Sequence, residues 1–179
     1  MQTNFLIIPG YGNSNENHWQ SYFEKQLPNC QRVVQKSWDN PRCDDWVITI
    51  NEAINECAAN SVVLVSHSMG GIAIAHWATR FTTKIKGAFI VAPPDLEHPC
   101  MELPIEGFTP IPLVKFSFPS VVVASTNDNW STVQRAQIFA NSWGSKLLVI
   151  GQAGHINATS GHGAWNEGLE LLRLLDTEK

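Results

Sequence analysis

Six short apolar runs, none of which alternates with polar residues, constrain the fold more than any other feature of the chain. They are Phe5–Ile8, Arg32–Gln35, Ser61–Val65, Gly87–Val91, Ser120–Ala124 and Lys146–Ile150. A strand with one wet face alternates, so an uninterrupted β-branched run marks a strand covered on both faces. Between the runs lie segments with helical spacing at 16–27, 44–59, 70–81, 131–143 and 164–175. Residues 44–59 open on two acids suited to a helix N-terminus, and Ser131 is the expected cap of 131–143. The order βαβαβαβ–loop–βαβα predicts an α/β domain over 1–179. It should have right-handed crossovers, a parallel sheet and helices on both sides. The stretch 93–119 holds seven prolines and no period, and reads as a loop.

The third run feeds directly into Ser66-His67-Ser68-Met69-Gly70-Gly71 and then an alanine-rich helix. Strand, sharp turn and helix with a serine at the apex form a near match to G-x-S-x-G, the nucleophile elbow. Ser66 stands where that motif has its first glycine. A hydroxyl is a weak nucleophile until a base removes its proton and a third group orients the base. In an open parallel sheet such partners belong beyond the carboxyl ends of strands. Asp128 follows the fifth run and His155 the sixth, which gives the chain order Ser68, Asp128, His155 expected of α/β-hydrolases. Asp95 is the alternative acid and His162 the alternative base. His67 should point away from Ser68.

One oxyanion donor is expected from the Met69 backbone N–H and the other from Tyr11, in the Pro9-Gly10-Tyr11-Gly12 turn after the first strand. His18, Trp19, Trp130 and the proline-rich loop are candidate pocket walls. Trp46, Trp77, Trp143 and Trp165 read as core.

The formal charge is −4, with basic residues scattered along the chain, which argues against nucleic acid as a partner. No run is long enough to span a membrane, and no signal peptide is evident. Cys30, Cys43, Cys57 and Cys100 lack metal or disulfide spacing, so reduced thiols and a cytoplasmic location are expected. The histidines show no metal-ligand pattern. Neither a metal nor another cofactor is expected.

Taken together, Pro9-Gly10 with Ser14 and His18-Trp19, the elbow at 66–70, Ser125–Asp128, Ala136-Gln137, Trp143-Gly144 and Gly154–Asn157 resemble the retinoblastoma-binding-protein-9/YdeN-like serine hydrolases. The resemblance implies a compact core of six parallel strands in the order 2-1-3-4-5-6 without a cap domain. It also implies Ser68 as nucleophile, Asp128 as acid and His155 as base. Most members carry glycine at the position of Ser66. The expected activity is that of a carboxylesterase-type serine hydrolase acting on a small ester or acyl compound, with protein partners undetermined. The alternative is a catalytically weak binding module that keeps the fold.

Overall fold

The computed structural model describes residues 2–99 and 103–177. The elements run β1 (Asn4–Ile8), α1 (Trp19–Gln26), β2 (Cys30–Arg32), α2 (Cys43–Asn55), β3 (Val62–His67), α3 (Met69–Arg80), β4 (Gly87–Val91), β5 (Ser120–Ala124), α4 (Val133–Trp143), β6 (Lys146–Val149) and α5 (Asn166–Thr177). A 3-10 turn at Ala158–Ser160 precedes α5. All six strands are parallel and lie in the order β2-β1-β3-β4-β5-β6.

The apolar runs divide by parity, because successive side chains on a strand point to opposite faces. Leu6, Ile8, Val62, Leu64, Ala88, Ile90 and Val122 pack with Trp46 of α2, Trp77 of α3 and Phe139 and Trp143 of α4. Phe5, Ile7, Val63, Val65, Phe89, Val91 and Val123 pack with Trp19 and Phe23 of α1 and Trp165, Leu169 and Leu172 of α5. Two sealed faces explain the missing polar positions, and each large buried side chain contributes about 1.5–3 kcal/mol.

Several boundaries differ from expectation: α1 begins at Trp19 rather than 16, α2 ends at Asn55 rather than 59, and α5 spans Asn166–Thr177 rather than 164–175. The second strand is Cys30–Arg32 rather than 32–35. It is an edge strand held by β1 alone, with Phe5 opposite Cys30 and Ile7 opposite Arg32. The last ladder bond runs from the Val33 N–H to the Ile7 carbonyl at 2.9 Å, and Val34 falls beyond it, where β1 gives way to Pro9. The cap of α4 is Thr132, whose hydroxyl accepts from the Arg135 N–H, and not Ser131.

The proline-rich segment carries no helix among its described residues. It is pinned by buried Phe108, Ile111, Phe116 and Phe118, and by the Phe108 carbonyl bonded to His76. Cys30, Cys43 and Cys57 are free thiols, while Cys100 lies outside the described residues. Burial pushes the Cys30 thiol up to about 12 and the Cys43 thiol up to about 11, which keeps both protonated at neutral pH. Among the described residues no helix is long and apolar enough to cross a membrane.

Candidate active site

Ser68 sits between β3 and α3 with φ 52° and ψ −128°, a region that a non-glycine residue occupies only when its surroundings force it. Three contacts do so. The Ser68 N–H donates to the Val91 carbonyl at 2.9 Å, and the Ser68 carbonyl accepts from Gly71 at 2.9 Å. Third, α3 presses on the end of β1: a Cβ on Gly70 would lie 2.3 Å from the Ile8 carbonyl oxygen and 2.7 Å from that of Pro9. Only glycine permits that approach.

Ser66, at the position where the motif has its first glycine, is fully buried. A Cβ on Gly71 would lie 3.5 Å from Ser66 Oγ. The Ser66 hydroxyl makes a long contact of 3.5 Å with the Phe89 carbonyl.

At the same rim, Ser68 Oγ lies 2.9 Å from His155 Nε2, and His155 Nδ1 lies 2.9 Å and 3.0 Å from the two oxygens of Asp128. The carboxylate fixes the proton on Nδ1 and leaves the Nε2 lone pair to accept from Ser68. The Asp128 side chain is nearly fully buried and also accepts from the Trp130 N–H at 2.9 Å. Its loop is tied to that of His155: Asn127 Oδ1 accepts from Gly154 at 2.7 Å, and Thr126 donates to Gly151 at 2.7 Å.

The rivals fall elsewhere. The Asp95 carboxylate pairs with Arg135 at 3.1 Å, and His162 Nδ1 turns toward Ser160.

The loop after β1 packs onto the elbow. A Cβ on Gly10 would come 2.8 Å from Ser68 Cβ and 3.3 Å from the Met69 nitrogen. Tyr11 therefore follows directly beside the first N–H of α3, which has no acceptor within its own helix. Tyr11 and Met69 line one cavity with Ser68 and His155, of about 250 Å³. Pro94, Leu96, Leu103 and Trp130 form its apolar side, and Asn13, Asn15, His18, Asn157 and Thr159 its polar side.

Trp19, expected as a wall, is instead fully buried and outside the lining. It stands on the sheet-facing side of α1, and its indole N–H donates to the Ile156 carbonyl at 2.8 Å. His67 also departs from expectation. It lines the cavity, and its Nε2–H donates to the carbonyl of His155 at 2.8 Å. Two consecutive carbonyls are thus clamped, which holds β-branched Ile156 at φ 47°. The asparagines were not singled out from the sequence. Their signal is their place in the loops leaving the carboxyl ends of β1 and β6.

His18 and His67 are buried and neutral. Burial, then the charges of Arg32, His155 and His162, push His18 down to about 3. Burial, His155 and His18 hold His67 well below the usual range. The unfolded chain takes up these protons near pH ~6.5 and the folded chain does not, so stability falls as pH drops below that value. The expected slope is about 1.4 kcal/mol per pH unit for each histidine, read from urea unfolding at stepped pH. His18→Asn should remove the His18 share and leave that of His67. Unchanged stability between roughly pH 6.5 and pH 4 would contradict the burial argument.

A parallel 2-1-3-4-5-6 sheet sealed by helices, with a strained serine between β3 and α3, defines the α/β-hydrolase fold, here without an inserted cap among the described residues. Within that fold the chain belongs to the serine hydrolase family, whose model matches residues 5–174.

It is similar to a YdeN-like hydrolase from Pectobacterium atrosepticum, with 34% identity and a TM-score of 0.85 over 98% of this chain and 90% of that one. The ydeN gene product of B. subtilis shares the fold at 20% identity and a TM-score of 0.84, over 99% of this chain and 100% of that one. The carboxylesterase CesB of Bacillus subtilis shares it at 13% identity and a TM-score of 0.71, over 99% and 85% of the two chains. No curated protein matches the sequence closely enough to count as a relative.

Proposed function

We propose that this serine hydrolase is of carboxylesterase type and cleaves small esters or related acyl compounds through an acyl-enzyme on Ser68. The observation that carries this reading is the unbroken line from Ser68 Oγ through His155 to Asp128, with every contact at 2.9–3.0 Å.

Ser68 Oγ attacks the acyl carbon as its proton passes to His155 Nε2, and Asp128 stabilises the resulting imidazolium. The N–H groups of Tyr11 and Met69 receive the charge that develops on the carbonyl oxygen. Collapse expels the alcohol, which takes the proton from His155. Water then attacks the acyl-enzyme and gives a proton to the same nitrogen. The acid leaves, and Ser68 recovers its hydrogen. A cavity of about 250 Å³ favours short acyl and alcohol groups, and its Trp130 side favours an apolar one.

The direct test is reaction with a fluorophosphonate followed by peptide mass spectrometry. The expected result is one stoichiometric adduct on Ser68. Folded protein that remains unlabelled would instead support a binding module.

A further inference from the structure

The polar side of the cavity is biased in its chemistry. Three of its asparagines have their amide oxygens engaged by backbone N–H groups. Asn13 Oδ1 accepts from Ser14 at 2.8 Å and also from Arg32 at 2.9 Å. Asn15 Oδ1 accepts from Asn17 at 3.0 Å. Asn157 Oδ1 accepts from Ser160 at 3.1 Å and from the Thr159 hydroxyl at 2.7 Å. Those bonds fix each amide so that its NH₂ remains for another partner.

His18 makes the same point more sharply, because it is only 6% exposed. It caps α1, where its Nδ1 accepts from the Gln20 N–H at 3.2 Å. In the neutral ring the proton therefore sits on Nε2. That N–H is buried without a hydrogen-bond partner, although the residue lines the cavity. A buried donor left unpaired is costly, and because its residue lines the cavity, a ligand acceptor that reached it would relieve that cost.

Among the described residues the lining holds no lysine or arginine. Arg32, behind it, is engaged by Glu24 at 2.9 Å and by the Ser14 carbonyl at 2.6 Å. His18 is separated from His155 by the ring of His67, with centroids 4.7 Å and 4.8 Å apart along the row, so the acceptor lies several bonds from the scissile carbonyl.

We infer that His18 and the three asparagines form a subsite for an uncharged hydrogen-bond acceptor, such as an amide carbonyl or ether oxygen, on one arm of the substrate, while the other arm is apolar. The inference rests on the serine-hydrolase reading above and specifies its substrate class.

The test is a set of p-nitrophenyl esters of equal acyl length: all-methylene, with one ether oxygen or amide carbonyl moved stepwise along the chain, and with a terminal carboxylate. A parallel set varies the alcohol arm. On one arm, at one position, the neutral acceptor should raise kcat/KM about tenfold over its methylene counterpart, and the carboxylate should not.

His18→Asn keeps an acceptor for the Gln20 N–H but withdraws the Nε2 donor, and should bring that ratio close to one. Asn157→Asp keeps the oxygen that Ser160 and Thr159 bind but replaces the free amide donor with an oxygen. It should lower the same ratio and serves if the first variant fails to fold. The ratio cancels any effect on His155 common to both esters.

Equal rates at every position in a protein that labels with fluorophosphonate would overturn the subsite alone. So would a preference for the carboxylate, or a preference that survives both substitutions. A folded protein that neither labels nor hydrolyses any ester would remove the hydrolase reading, and the subsite with it.

Discussion

Ser68→Ala and His155→Ala are each expected to lower kcat on an activated ester by a factor on the order of 10⁵–10⁶, and the double variant by scarcely more. The near-equality follows from geometry. Ser68 Oγ and His155 Nε2 share one proton across 2.9 Å, so either half alone does nothing: the hydroxyl keeps its proton without the imidazole, and the imidazole has no hydroxyl to activate without the serine. A residual acceleration of roughly 10³ over water should survive in all three variants, supplied by the backbone N–H groups and by binding. Pre-steady-state kinetics on the full chain would measure it, with a burst of p-nitrophenol from the wild type and none from either variant. Losses that multiply in the double variant would mean that the two residues act in separate steps, and the single proton-transfer unit would have to be abandoned.

The site was legible in the sequence where chemistry is tied to strand ends, and illegible where it depends on which side of an element faces a cavity. Ser68, Asp128 and His155 each follow a β-branched run, and parallel strands deliver their carboxyl ends to one rim. That rule alone is enough to expect the three side chains to meet. It says nothing of Trp19, whose place beside His18 fits a pocket wall as well as the core. The helix turns it onto Phe23 and Trp165.

His67 is instructive for the opposite reason. Its parity on β3 matches Val63 and Val65, which face α1 and α5, and the His155 loop closes over that same face. The parity was readable, but the path of the loop was not. The misplaced second strand has a third cause. At a sheet edge, β-branched residues mark a preference, while the register is set by the one neighbour available. Ser131 and Thr132 offer adjacent hydroxyls of nearly equal capping strength, and only the backbone at Thr132, with φ −81° and ψ 158°, selects between them.

Asp128→Asn should cost about 10⁴ in kcat despite preserving size and shape, and the reason lies in which oxygen is already occupied. The Trp130 N–H donates to Asp128 Oδ1 at 2.9 Å. In the variant that N–H retains the amide oxygen and turns the NH₂ to the position of Oδ2, which is 2.9 Å from His155 Nδ1. The amide then donates to Nδ1, the imidazole proton moves to Nε2, and the atom facing Ser68 becomes a donor unable to take the serine proton.

Asp128→Ala exerts no such pressure on the tautomer, so the isosteric variant should be at least as impaired as the truncation, the reverse of what a packing role would give. Steady-state kcat for both variants, with the imidazole tautomer read from nitrogen chemical shifts, tests the argument. Wild-type turnover in Asp128→Asn, or a clear advantage of Asn over Ala, would take the acid out of the mechanism. It would also leave His155 without a carboxylate partner, because the Asp95 carboxylate is paired with Arg135.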